Sequence, residues 1–334
     1  MSNTKKAKIV RFHEIGNADV LKIENVSIPK PINDEVRITV EAIGLNRAEV
    51  MFREGQYLED PVLPSRLGYE VSGVVEAIGA NVKSFKVGDK VSTVPAFSIG
   101  KYGVYGEIAT VPEYAVAKYP ENLSALEGTS IWMSYLTAYG SIIEIGKTKQ
   151  DDFVLITAAS SSVGLASIQV AKAEGALVIA TTRGSDKKQF LLDAGADYVI
   201  VINDENLEER VNVITKGKGI NLIFDPVGGR YIETLAAAAA VGGIIIEYGA
   251  LAPEPTPFPL FIALKKGLII RGYTLFEITT NAETLAKGKD YLLNRFKEGS
   301  LKPIIDRTFS FNEIVEAHKY MESNLQKGKI VVTL

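Results

Sequence analysis

Hydrophobic positions along the chain fall into two regimes. From Ala7 to about Pro120, short apolar or alternating runs at 8–12, 21–26, 35–45, 68–78, 90–94 and 114–118 are cut by Gly, Pro and Asn. This spacing predicts a compact, β-rich, barrel-like domain. Gly79-Ala80-Asn81 and Val87-Gly88-Asp89 are turn candidates, because Gly and Asn tolerate left-handed backbone. One short helix is expected over 46–55, ending at Gly55.

From Leu126 the period changes and helix alternates with strand. Positions 127–145 read as helical. Strands follow at 153–156, 177–181, 198–202, 221–224 and 243–248, with helices at 163–171, 185–194, 207–215 and 231–240 between them. Strictly alternating strands and helices predict right-handed βαβ units and a doubly wound parallel sheet. After a Pro-rich loop at 253–259 come an apolar strand at 267–270, an amphipathic helix at 283–297, a strand at 303–309, a helix at 311–323 and a terminal strand at 330–334. The fold class is α/β, with the parallel domain (126–271) inserted into a discontinuous β-rich domain (1–125 and 272–334).

The segment 152–172, DFVLITAASSSVGLASIQVAK, organises this reading. Phe153 to Ile156 suit a central parallel strand covered on both faces. The following turn, Ala158 to Ser162, has no bulky side chain, so its backbone amides can approach a pyrophosphate. Helical spacing then begins at Val163, and a helix N-terminus presents free amides and partial positive charge to an anion. The glycine fingerprint G-x-G-x-x-G is absent, and only Gly164 stands where such a helix packs on its strand.

The 334-residue length suits two domains. No apolar run is long enough to cross a bilayer, and the opening MSNTKKAKIVRF lacks the apolar core of a secretory signal, so a cytoplasmic location is expected. A net charge of -3 gives no electrostatic case for nucleic acid or an anionic membrane. The chain has no cysteine and only two histidines, His13 and His318, read as surface or strand-edge residues. Thiolate catalysis is excluded, and no metal site is expected, because zinc sites draw on clustered Cys, His and carboxylate ligands.

Seven stretches in order resemble the medium-chain dehydrogenase/reductase superfamily, and within it the zinc-free quinone oxidoreductase branch related to zeta-crystallin. They are Gly44 to Glu49, Leu67 to Val75, Val87 to Val91, Leu136 to Tyr139, Ala158 to Gly164, Phe224 to Gly229 and Gly328 to Val332. The resemblance implies a Rossmann domain inserted into a GroES-like catalytic domain, a nicotinamide cofactor and a homodimer extending its sheet through the strand at 267–270. Where zinc-dependent members carry a Cys ligand this chain has Asn46, and where they carry Gly-His-Glu it has Gly68-Tyr69-Glu70. Alcohol dehydrogenase chemistry, which needs a Lewis acid, is correspondingly less expected.

An NAD site places an acidic residue after the second strand, whereas here Thr182-Arg183-Gly184 leads to Lys187 and Lys188. Arg183 and Lys187 suit a 2'-phosphate, so the cofactor is read as NADPH. Ser161, Ser162, Val163 and Gly164 form the pyrophosphate turn. By resemblance, Tyr198 lies near the adenosine half, Thr137, Gly249 and Ala250 near the nicotinamide, and Lys329 near the phosphate bridge or ribose. Hydride addition to a quinone or an α,β-unsaturated carbonyl requires a donor for the oxygen that gains charge. Asn46 and Tyr57 are the candidates; their alternatives are a helix cap and a packed loop aromatic, and that for Glu70 is an ion pair with Arg47 or Arg66. Rival readings are an enoyl-thioester reductase and a non-catalytic NADPH-binding protein.

Overall fold

The computed structural model describes residues 4–334, which divide into two compact units, 4–133 with 293–297 and 302–334, and 134–292 with 298–301. Residues 272–292, expected in the β-rich domain, pack with the other unit.

In the first unit a hairpin, β1 (Lys5–Arg11) and β2 (Lys22–Ile28), accompanies a seven-stranded sheet. That sheet contains β3 (Glu35–Gly44), β4 (Glu70–Ile78), β5 (Lys90–Thr93), β6 (Ile108–Pro112), β7 (Val116–Ala117), β14 (Ile305–Ser310) and β15 (Lys329–Thr333). The order is β14-β15-β3-β4-β5-β7, with β6 on β3. β6 falls outside the expected strands, which place only 114–118 in this neighbourhood. Glu113–Ala115 is a 3-10 turn that separates the two strands. The longer helices of this unit are α1 (Arg47–Arg53) and α9 (Ile314–Glu322), with shorter ones at Ile99–Tyr102 and Ala125–Gly128.

His318 is not at the surface. It lies fully buried in α9, where its Nδ1 meets Arg53 Nη1 at 3.1 Å. Burial, reinforced by Arg53 and Arg47, pushes its pKa down to about 3, so the ring is neutral. His13 is exposed and pairs with Glu24 at 2.5 Å.

The second unit is built on six parallel strands, β8 (Phe153–Ile156), β9 (Leu177–Thr182), β10 (Tyr198–Val201), β11 (Ile220–Asp225), β12 (Ala239–Glu247) and β13 (Ile269–Gly272). Their order is β10-β9-β8-β11-β12-β13, so the chain reverses direction across the sheet between β8 and β11. Leu155, Ile179, Ile200, Ile223 and Ile245, one from each of five strands, form a buried layer. Helices α5 (Leu207–Thr215) and α6 (Tyr231–Ala238) cover it with Leu207, Val211, Ile232 and Leu235. Burial of each such side chain contributes about 1.5–3 kcal/mol. Further helices are α2 (Trp132–Tyr139), α3 (Ser162–Ala173), α4 (Lys188–Asp193), α7 (Leu260–Lys266), a short one at Phe276–Thr279, and α8 (Ala282–Glu298), most of which packs with this unit.

The helix expected over 127–145 is three pieces: Ala125–Gly128, α2, and a wider π-helical turn Gly140–Ile145. α7 was not foreseen. No helix among the described residues is long and apolar enough to cross a membrane.

Candidate functional site

In the first unit the residues at 46, 49, 69, 70 and 329 meet in the interior. α1 begins at Asn46, and the Glu49 side chain turns back to accept the Asn46 backbone N–H, closing the first turn. Glu49 also accepts the Asn46 side-chain amide at 3.1 Å and the Tyr69 backbone N–H at 3.2 Å. The Asn46 amide further donates to Glu70 Oε2 at 3.2 Å and to Gly44 O at 3.3 Å. Both amide hydrogens are therefore committed to protein acceptors. Asn46 is 6% exposed, and in this arrangement its amide hydrogens point to Glu49, Glu70 and Gly44 rather than outward.

Lys329 supplies the cation. Its ammonium lies 2.5 Å from Glu70 Oε2 and 2.6 Å from Asn46 Oδ1, with the side chain 1% exposed. Glu70 Oε1 accepts the Met133 N–H at 2.9 Å. Glu70 is thus an ion-pair partner, of Lys329 rather than of Arg47 or Arg66. The Lys329 ammonium, expected beside the cofactor phosphates, is turned into this network. Its stem needs the bare backbone of Gly44, where a Cβ would sit 2.8 Å from Lys329 Cε and 2.1 Å from Thr129 O.

Glu70 holds the ammonium directly and Glu49 feels it through charge alone; burial pushes the Glu49 pKa up to about 7 against the attraction of Lys329. The donor set does not suit zinc: an amide and a carboxylate oxygen already hold an ammonium, and Tyr69 stands where an imidazole would be needed. Among the described residues no three His, Cys, Asp or Glu side chains converge on a metal position.

Tyr57 lies half-buried in the loop after α1. The Tyr69 hydroxyl donates to the Tyr57 oxygen over 3.5 Å, and the rings pack edge-on. Burial raises both phenol pKa values, so both stay protonated at neutral pH. With Tyr69 as donor, the Tyr57 proton is left for an outside acceptor.

In the second unit Ser161 caps α3: its Oγ accepts the Gly164 N–H at 3.0 Å. The three serines therefore divide the work, Ser161 to the helix, Ser162 as its first residue, and Ser160 as the partner of Lys187. Lys187 Nζ donates to Ser160 Oγ at 3.1 Å, which carries a positive charge into the turn. A Cβ at Gly164 would lie 2.6 Å from Ala159 O, so only glycine lets α3 approach the turn this closely. Ala158 takes a positive φ of 44°, the left-handed conformation in which a glycine is usually found.

Thr182 ends β9 and Arg183 is exposed immediately after it. Thr137 is buried in α2, and Gly249 and Ala250 follow β12. Tyr198 needs correction. It opens β10 in register with Ile179, three residues before the Val201–Thr182 pair, and so lies toward the N-terminal end of the strand. Ligands of parallel sheets bind beyond the C-terminal ends. Asn203, whose N–H meets Arg183 O at 3.4 Å, lies at that end instead.

Three residues at the same end lie outside the expected site set: Asp225, which falls in the Phe224 to Gly229 stretch, and Glu247 and Tyr248. Asp225 and Glu247 end adjacent strands in register, and Tyr248 stacks on Phe224 with centroids 3.9 Å apart.

Residues 32–121 match the family described as alcohol dehydrogenase GroES-like domain, and residues 162–288 the one described as zinc-binding dehydrogenase. A human quinone oxidoreductase is 31% identical over 337 residues, covering 99% of this chain and 98% of the relative. Among solved structures, an Escherichia coli quinone oxidoreductase complexed with NADPH superimposes with a TM-score of 0.89 at 28% identity, covering 98% of this chain and all of that one. An NAD-dependent alcohol dehydrogenase gives 0.89 at 30% identity, covering 98% of this chain and 99% of its own.

Proposed function

The chain belongs to the quinone oxidoreductase branch of the medium-chain dehydrogenase/reductase superfamily, and from that premise we propose that it reduces quinones or α,β-unsaturated carbonyls with NADPH and without a metal. At the coarser level it is an NAD(P)H-dependent oxidoreductase.

The observation that carries the choice of NADPH is the basic pair around the turn, Lys187 on Ser160 with Arg183 exposed at the end of β9. No carboxylate takes the ribose-binding place directly after β9; Asp186 comes three residues later, in the 3-10 turn that leads into α4. Residues 158–164 would hold the pyrophosphate through backbone amides, and Arg183 would hold the 2'-phosphate. When bound, the nicotinamide supplies hydride. Tyr57 then donates to the substrate oxygen that gains charge, and Tyr69 supports it from behind. Asn46, Glu49, Glu70 and Lys329 hold the start of α1 from which the Tyr57 loop follows.

The test follows NADPH and NADH oxidation against quinones, enones, enoyl thioesters and simple ketones, with wild type and Arg183→Glu. Quinone or enone turnover, and a Michaelis constant raised in the variant far more for NADPH than for NADH, are the expected results. Equal effects on both cofactors would remove the 2'-phosphate assignment. Tight NADPH binding without turnover of any acceptor would instead identify a binding protein.

The exposed edge supports a homodimer. β13 is the last strand of its sheet, with Ile269 exposed on it and Phe261 and Leu264 exposed on the preceding α7. An unpaired apolar edge of this kind is suited to pairing with a second copy across a two-fold axis. Sedimentation at micromolar concentration should give a dimer; a monomer there would exclude this pairing.

A further inference from the structure

Asp225 and Glu247 meet on β11 and β12, beside the point between β8 and β11 where the chain reverses across the parallel sheet. They are register partners at the C-terminal ends of β11 and β12. Asp225, fully buried, is well supplied with donors: Thr157 Oγ1 from the end of β8, and the Gly228 N–H at 2.7 Å. Glu247 is not. Both of its carboxyl oxygens are buried and neither meets a donor, while the Asp225 carboxylate lies beside it.

A buried carboxylate with no donor and an anionic neighbour is costly, and the inexpensive solution is a proton. The asymmetry says where it resides. Asp225 has the hydrogen bonds that favour an anion, so Glu247 is the acid and Asp225 its acceptor.

Two loops close over this pair. Leu251 N–H meets Pro226 O at 3.1 Å and Ala252 N–H meets Val227 O at 2.8 Å. Gly229 N–H meets Thr256 Oγ1 at 2.8 Å. Gly228 and Gly229 both have positive φ, 68° and 63°. A Cβ at Gly228 would sit 2.8 Å from Thr256 Oγ1 and 3.8 Å from Glu247 Oε2, so the loop passes directly over the acid. Through Thr157 the pair also touches the residue that opens the Ala158 to Ser162 turn.

We propose that Glu247 carries a proton which it donates to the Asp225 carboxylate, and that this shared proton latches loops 226–230 and 249–256 in the arrangement that accepts the dinucleotide. The second half rests on the dinucleotide reading above. Removing the proton places two anions side by side beneath the loops, opposing both their closure and the approach of a polyanionic ligand.

The window follows from Glu247. Burial, then the charge of Asp225, pushes its pKa up to about 8. A group whose pKa is raised on folding contributes stability below its unfolded value and loses it as pH rises through the folded one, so the latch opens on the alkaline side. The other titratable groups facing this region are Tyr231 on α6, Tyr248 just after β12, Glu254 opposite Gly229, and Lys187 at Ser160. Burial, with Asp225 adding to it, holds both tyrosines above the ordinary phenol range.

The experiment measures NADPH dissociation constants by fluorescence from pH 7 to 9.5, above the titration of the 2'-phosphate near ~6. Carboxyl infrared spectra are recorded on the same unliganded samples. Wild-type affinity should fall several-fold by pH 9, at most about tenfold per unit for one linked proton. Glu247→Gln, which keeps a donor toward Asp225 and cannot ionise, should be flat. Equal slopes in the two proteins overturn the latch. Glu49, whose pKa is about 7, also contributes a protonated carboxyl at pH 7, so the readout is the wild-type-minus-variant difference, which should show a protonated-carboxyl band at pH 7 that fades by pH 9. Absence of that band at pH 7 overturns the shared proton, and a wild-type spectrum with no protonated-carboxyl band at pH 7 does so even if the variant fails to fold. No dinucleotide binding at any pH would strike down the dinucleotide reading, and the infrared band would still decide the proton.

Discussion

Lys329→Met is expected to destabilise the first unit by about 3–5 kcal/mol, the cost of leaving a buried charge without its partner. The ammonium lies 2.5 Å from Glu70 and 2.6 Å from Asn46, and no other cation reaches Glu70 among the described residues. Methionine fills similar volume, so the loss is electrostatic. The deficit should depend on pH with a definite sign. Removing the ammonium also removes the attraction that lowers the Glu49 pKa, which burial already raises to about 7. Groups with raised folded pKa values lose stability as pH rises, so the variant should fall further behind wild type at pH 8 than at pH 5.5.

Adding Glu70→Gln to Lys329→Met should restore most of the stability, because glutamine keeps an oxygen for the Met133 N–H while shedding the charge. Denaturant titrations followed by Trp132 fluorescence measure this directly. Trp132 is the sole tryptophan of the chain, is fully buried, and bonds Ser92 in the same unit at 2.7 Å. A single variant as stable as wild type at pH 8, or a double variant no better than the single, would show that Lys329 is not the counter-charge of this network.

The two layers of the molecule differ in how far the sequence reveals them. Phe153 to Ile156 and the strand cores at 198–201 and 220–225 are legible because burial on both faces of a sheet demands continuous apolar runs. α7 was not, because its exposed positions are themselves apolar, Phe261 and Leu264, so no polar face marks the helical period. The long helix over 127–145 read as one because its composition is uniformly suitable; its break is imposed from outside, where Glu70 takes the Met133 N–H.

Site residues follow the same division. The turn at 158–164 is local, and its reading needed only small side chains and one glycine. The network of Lys329 with Glu70 joins positions 259 apart, and nothing in either neighbourhood announces the other. Asn46 was read as a donor for the same reason: its type permits it, and only the acceptors gathered around it show that its hydrogens are used. Tyr198 was expected near the adenosine half, and its place at the N-terminal end of β10 emerges only from parallel pairing. The Asp225 and Glu247 pair depends on strand register, which a single sequence does not contain.

Tyr57→Phe should lower turnover of enones and quinones by about 10²-fold, the usual effect of removing a positioned general acid. The roles of the two phenols follow from which hydroxyl donates to which. Tyr69 is fully buried and gives its proton toward Tyr57, leaving the Tyr57 proton for the substrate oxygen. Phenylalanine keeps the edge-on packing with Tyr69 and removes only the hydroxyl. The loss should therefore appear in kcat, with NADPH affinity unchanged, because no residue of the Ala158 to Gly164 turn is altered. Tyr69→Phe should cost less, since it removes support for the donor and not the donor itself. Burial holds the Tyr57 pKa above the ordinary phenol value, so wild-type activity should show no loss from this group until the pH exceeds the usual phenol range. If Tyr57→Phe raises the Michaelis constant with kcat intact, Tyr57 binds substrate without delivering a proton. If Tyr69→Phe is the more damaging change, the direction of the relay is reversed and the acid is Tyr69.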